Sequence, residues 1–355
     1  MKHVSRNRLK ASLALISAVA AIISVTPALP IGSLQESKPP LLRLRETILM
    51  PSVRGRLDHL DVDANGQRLF VSGLENGSVE VVDLKSGKWA RSLSGFKKPQ
   101  GIAYVSALRK LFVASGDDGT VRVLRGDTFA LLDRIQLEPG PNRVAYDSRA
   151  RLLYVGYGGK DAGKDYGDVA IIEARRDENT SDIRVAAHPA ELLLDEGGQD
   201  LFVLVPAANV VQRVDIRGRT VISTWAVSSQ RPGDAAFDEA THRLFIGTHV
   251  PPEMIVMDST TGREIARLPT VDGMDGVYFD SKRKRIYVSG GRGFETGAVW
   301  IYQQRDADHY DRLGEIPTRS GAGTSFWSSE LDRYFVAAPA TKQEEAAILV
   351  YEPVP

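Results

Sequence analysis

No cysteine stands anywhere in the 355 residues. That absence removes disulfides, thiolate zinc sites, cysteine nucleophiles and haem attachment through C-x-x-C-H. A chain of this length buries enough apolar surface to fold without such staples. An excess of charge of either sign is also lacking, since 45 Lys and Arg balance 45 Asp and Glu. Nucleic-acid binders carry a basic excess or a basic cluster. The sequence has neither, so no nucleic-acid partner is expected. After residue 25 no apolar run approaches the roughly 20 residues that a membrane span requires. No stretch keeps a helical period for three turns.

What is present begins with a leader. Lys2, Arg6, Arg8 and Lys10 make a basic start, residues 11–25 are apolar or small, and Thr26-Pro27-Ala28 offers small residues for cleavage. This pattern predicts a secretory signal peptide over residues 1–28, and hence a periplasmic or secreted protein. Removing the four basic residues of the leader leaves 41 Lys and Arg against 45 Asp and Glu, a formal −4. Residues 29–40 read as a linker and 41–355 as the folded domain.

The domain is written in repeats. "RLFVSGLENGSVEVVDLKSGK" at 68–88 returns as "KLFVASGDDGTVRVLRGD" from Lys110 and "RLFIGTHVPPEMIVMDSTTGR" from Arg243. Anchoring on the aromatic of the phrase gives Phe70, Phe112, Tyr154, Phe202, Phe245, Tyr287 and Phe335, spaced by 42, 42, 48, 43, 42 and 48 residues. Seven residues before the anchor stands Asp in five copies (Asp63, Asp147, Asp195, Asp238 and Asp280), with Val105 and Ser328 in the others. A period in this range, filled with β-branched and aromatic runs and Gly, Asn and Asp turns, predicts an all-β, seven-bladed β-propeller. Each blade is expected to hold four antiparallel strands, a to d from the channel outward. Strand a falls at 59–63 and its equivalents, and strand b carries the anchor. The repeated Asp closes the a–b turn by accepting backbone N–H bonds. The last repeat lacks a strand d. The orphan segment "LLRLRETILM" at 41–50 is expected to supply it, leaving no open sheet edge.

The phrase "RLFVSG…GSVEVVDLKSGK…PQGIAY" resembles the YVTN-type repeat of YncE-like seven-bladed propellers, from about residue 41 to the end. The resemblance implies an exported propeller and leaves its role open, because propellers host both enzymes and binders. The second repeat departs from the pattern, with Leu124-Arg125 where Val-Asp is expected.

The d-to-a connections and b–c loops share one face, which we call the upper face. The extra length of repeats three, six and seven lies there, in loops 156–168, 289–298 and 337–347. Insertions gathered on one face mark a binding face. Eleven residues before each anchor sits His59, Gly101, Arg143, Glu191, Asp234, Gly276 or Thr324, at the mouth of the channel. The position two residues on holds Ala103, Ala145 and Ala236 and reads as packing. The expected ligand-binding set is Asp58, His59, Gln100, Asn142, Arg143, His188, Glu191, Asp234 and Asp275. Arg143 is expected to hold an anionic group bidentately. Truncating His59, Arg143, Glu191 or Asp234 should leave melting temperature almost unchanged.

Other motifs carry little. "GGKDAGK" at 158–164 imitates part of a P-loop, but Asp165 replaces the Mg²⁺-binding hydroxyl and no helix follows. The Arg125-Gly126-Asp127 triplet is turn chemistry, and no G-x-S-x-G elbow exists. His59, His188 and His249 share the upper face with carboxylates, yet no local spacing supports a metal. The expectation is a non-catalytic, cofactor-free, monomeric propeller that takes a small molecule, peptide or envelope protein at its polar mouth. The alternative is a hydrolase or lactonase using a metal or the Glu191 and Asp234 carboxylates.

Overall fold

The structure, a computed structural model, describes residues 40–355. The leader and all of the linker except Pro40 lie outside the described residues. The chain forms seven four-stranded antiparallel sheets, each ordered from an inner strand a to an outer strand d. Inner strands of successive blades touch, and Leu57–Asp63 of blade one touches Ser325–Ser328 of blade seven, which completes a ring around a channel. In blade seven the outer strand is Leu42–Met50, antiparallel to Ala346–Pro353 with Leu42 opposite Pro353 and Met50 opposite Ala346. No helix among the described residues is long and apolar enough to cross a membrane.

Burial follows strand position. Middle strands such as Leu152–Gly158 are buried on both faces, whereas outer strands such as Lys88–Ser94 are mostly exposed. All seven anchor aromatics are at most 2% exposed. Several meet the aromatic of the next blade's strand a, as in Phe70–Tyr104 at 5.4 Å, Phe202–Phe237 at 5.2 Å and Tyr287–Trp327 at 5.7 Å. Each such pair adds about 0.5–1.5 kcal/mol beyond its buried area and fixes one blade against its neighbour.

The repeated Asp does the turn work expected of it in four copies. Asp63 accepts the Gly66 N–H at 2.9 Å, Asp147 accepts Arg149 and Ala150, Asp195 accepts Gln199 and Asp200, and Asp280 accepts Lys282 and Arg283. Asp238 differs. There the chain makes a 3₁₀ turn, Glu239–Thr241, and the carboxylate accepts the Thr241 hydroxyl and the Gln304 amide instead. Ser328 substitutes its hydroxyl, which accepts the Leu331 N–H at 3.2 Å. Val105 has no acceptor to offer, and the 3₁₀ turn Ser106–Leu108 follows it.

Two sets of bulges shape the ring. Every c–d pairing is shifted once, as between Val81 and Val82 or Ile301 and Tyr302, which increases the local twist. A second set lies at the upper end of strand a in blades one, two and five, between Leu57 and Leu60, Pro99 and Ile102, and Pro232 and Ala235. Two residues there oppose one on strand b, so Asp58-His59, Gln100-Gly101 and Gly233-Asp234 leave the regular alternation. These bulges re-aim the side chains at the mouth.

Candidate functional site

The upper mouth opens into a cavity of about 220 Å³. Seven of the nine expected residues line it: Asp58, His59, Gln100, Asn142, Glu191, Asp234 and Asp275. Arg143 and His188 do not, and the reason is hydrogen bonding. Arg143 pairs through Nε with Glu191 Oε1 at 2.9 Å and donates from Nη1 to His59 Nδ1 at 2.8 Å, so its guanidinium is engaged inside the channel. It borders a second cavity below. The expectation that Arg143 would clamp a ligand anion is therefore corrected. His188 stands behind Asn142, with Nδ1 2.9 Å from the Gly158 carbonyl and Nε2 3.4 Å from Asn142 Nδ2.

These contacts assign one another's protons. The Gly158 carbonyl only accepts, so His188 Nδ1 donates and, in the neutral ring, Nε2 accepts from the Asn142 amide. Asn142 Oδ1 then accepts from His59 Nε2 at 3.4 Å. Arg143, which only donates, requires His59 Nδ1 to be the acceptor. Reasoning from either end gives the same Asn142 orientation and a neutral His59. Burial lowers the His59 pKa, with the Asp58 carboxylate opposing and Arg143 reinforcing the shift.

Glu191 is 1% exposed and also accepts the N–H of Leu192. Burial raises its pKa well above the ordinary carboxylate range, against the pull of Arg143 and with the Asp234 carboxyl, in hydrogen-bonding contact, adding to the rise. Two carboxyls so placed favour one shared proton. Burial would lower the Arg143 pKa, but Glu191, Tyr278 and Asp234 outweigh it and the guanidinium stays charged. Truncating Glu191 would leave that charge buried without its partner. The expectation that Glu191 could be removed at little cost is corrected accordingly.

Nearer the surface a second layer of charges gathers around Asp275. Its carboxylate meets Arg292 at 2.9 Å, the Thr324 hydroxyl at 2.9 Å and Arg56 at 3.5 Å, while Arg56 also reaches Asp58 at 3.3 Å. Burial raises the Asp275 pKa and the two arginines oppose it. Gln100 lines the cavity but donates its amide to the Pro141 carbonyl at 3.1 Å. Gly101 holds its ring position for packing: a Cβ there would lie 2.1 Å from the Asn142 carbonyl oxygen.

The sequence reading missed three arginines of this cavity. Arg56 and Arg231 precede bulges, and Arg292 reaches in from the b–c loop of blade six. Arg231 makes no ion pair among the described residues; only its backbone N–H is engaged, by Asn209 Oδ1 at 2.7 Å. His249 completes the wall, its pKa lowered to about 4 by burial and by Arg292 and Arg231. The packing position also needs correction. Counted through all seven copies it carries Asp61 and Tyr278 as well as alanines, and both enter the channel. Completing that count in the sequence would have exposed them.

No group of three or more His, Asp or Glu among the described residues is arranged to hold a metal ion. The sequence matches no protein-family model and no curated protein. The fold resembles a chain of the hydrazine synthase of Kuenenia stuttgartiensis, 18% identical with a TM-score of 0.70, covering 84% of this chain and 97% of that one. It also resembles a chain of the mitotic checkpoint complex, 14% identical with a TM-score of 0.74, covering 96% of this chain and all of the other. At such identities the likeness establishes architecture alone. The protein is a seven-bladed β-propeller with four strands in each blade.

Proposed function

We propose that the protein is an exported, monomeric, YncE-like propeller that binds a small zwitterionic or anionic molecule at its upper mouth and does not transform it. The observation that carries the reading is the Arg231 guanidinium, which makes no ion pair among the described residues, beside the neutral His249 at the rim of a cavity where Asp58, Asp275 and Glu191 are already paired with arginines. An incoming carboxylate gains a charge-assisted, bidentate partner without displacing an internal ion pair. Asp234, which makes no ion pair among the described residues, supplies an acceptor for an ammonium group. A cavity of 220 Å³ suits a small molecule better than a protein segment.

A hydrolytic reading draws on Glu191, whose raised pKa suits a general acid. The burial of Glu191 behind Arg143 weighs against it, because the group faces protein on most sides. The deciding experiment is a thermal-shift and calorimetric screen of amino acids and dicarboxylates against size-matched amines. Carboxylate compounds should stabilise the wild type, and Arg231→Gln should abolish the effect while keeping the fold. Stabilisation that survives Arg231→Gln would remove the basis of the proposal. For export, the protein recovered outside the cytoplasm should begin close to residue 29; an intact leader there would contradict it.

A further inference from the structure

The opposite end of the channel holds a larger cavity, about 440 Å³, opening between the a–b turns of blades seven, one, two and three. Its volume falls within the range of small-molecule sites, roughly 300–1,000 Å³. Blade two makes the room, because Gly101 and Ala103 present almost no side chain there. The lining mixes apolar and aromatic side chains, among them Ile102, Val144, Tyr146 and Phe326, with polar ones that include Asn65, Ser106 and Ser148.

Within this space one carboxylate is left half-satisfied. Asp61 Oδ2 accepts the Tyr104 N–H at 2.6 Å, and no Lys, Arg or His of the described residues forms an ion pair with it. The charged and titratable groups facing it are His59, Arg143, Tyr104, Tyr146 and Glu330. Arg143 is the one cation among them, and it is paired with Glu191 at 2.9 Å on the far side. A carboxylate held in a low-dielectric cavity without a counter-charge is costly to ionise, and a ligand cation offsets that cost. Exposed aromatic faces beside it add cation–π attraction.

We propose that this lower cavity is a second binding site, for a small primary ammonium or guanidinium compound with an apolar arm, anchored on Asp61. It is a different cavity from the upper mouth and stands or falls separately. Below the mouth, the apolar walls take the arm and the carboxylate takes the charge. Burial, with Glu330 adding and the Tyr104 and Val62 N–H groups and Arg143 opposing, raises the Asp61 pKa to about 6. Cation binding should therefore weaken as pH falls through that value.

The test uses n-butylammonium chloride and sodium butyrate, matched in size and opposite in charge, titrated into the folded protein and followed through the backbone amide signals of Ala103 and Tyr104. Butylammonium should shift these signals saturably and butyrate should not. Asp61→Asn keeps an acceptor for the Tyr104 N–H while removing the charge, so it should weaken butylammonium by about tenfold. Arg231→Gln, at the other mouth, should leave it unchanged. If Asp61→Asn does not fold, Asn65→Trp at the exposed rim, which narrows the entrance and keeps the carboxylate, should lower affinity instead. Equal response to both probes, no saturable shift in the wild type, or full binding in the folded Asp61→Asn protein would each overturn the proposal.

Discussion

The two ends of the channel are built from the same seven strands and treat charge differently. At the upper end Asp58 and Asp275 pair with Arg56 and Arg292 and Glu191 pairs with Arg143, while Arg231 and Asp234 make no ion pair among the described residues. At the lower end the spare group is an anion, Asp61, in a cavity twice as large, 440 against 220 Å³. Position along strand a decides which end a side chain serves. His59 and Asp61 are two residues apart in one strand, and His59 borders both cavities. A propeller of one repeat thus carries two mouths with different charge arrangements, divided by a layer of buried ion pairs.

The largest effect should come from breaking that dividing layer. Glu191→Ala leaves the Arg143 guanidinium buried without its main partner, and we expect a loss of about 3–5 kcal/mol in chemical denaturation. Glu191→Gln, which can still accept from Arg143, should lose clearly less. Equal losses would show that burial of the charge is not what matters there.

Next in size is Asp61→Asn. The Asp61 pKa lies near 6 in the folded protein against 3.8 for the free group. Between those values the folded state binds more protons than the unfolded one, so stability falls as pH rises and stays reduced above 6. Removing the charge should therefore stabilise the protein by about 3 kcal/mol at pH 7, a gain that vanishes near pH 4. A destabilised variant at pH 7 would indicate that Asp61 has a partner in solution.

His249, at the upper mouth, acts with the opposite sign. Its folded pKa of about 4 lies below the ordinary 6.5, so its contribution is fully present above 6.5 and is lost as pH falls toward 4. Acidification thus relieves the lower mouth and burdens the upper one. His249→Asn should flatten the loss of stability on acidification by about 1–2 kcal/mol, and Asp61→Asn should steepen it. The slopes of denaturation free energy against pH in the two variants check the contrast.

The smallest effect belongs to the turns. Asp195→Ala frees the Gln199 and Asp200 N–H groups, one of them exposed, and should cost about 1 kcal/mol without altering binding at either mouth. Lost binding at the upper mouth in a folded Asp195→Ala protein would mean that the faces are inverted.

Much of this architecture was legible in the chain. The anchor spacing, the Asp of the a–b turn and the position eleven residues before each anchor are fixed by the repeat itself. Alternation along a strand then tells which residues point alike. It fails at the bulges, where Asp58 and His59 both oppose a single residue and each is aimed by local geometry. It also does not tell how far a long side chain travels. Arg143 was placed correctly at the ring, yet its guanidinium crosses toward Tyr278 in blade six and is spent on Glu191. Arg292 comes from a loop with no repeat register at all, so no counting scheme reaches it.

The run of polar contacts from His188 through Asn142, His59 and Arg143 to Glu191 links blades one, three and four across the open centre, and Arg143 extends it to Tyr278. In mechanical terms these are chords in a hoop. A ring joined only along its circumference can flatten into an oval at little cost, because every joint turns slightly. A chord must stretch for that to happen, and a short polar contact tolerates little stretching. The bore of this propeller is therefore set by its chords as well as by its blade count, and loosening one of them should let both apertures change width together.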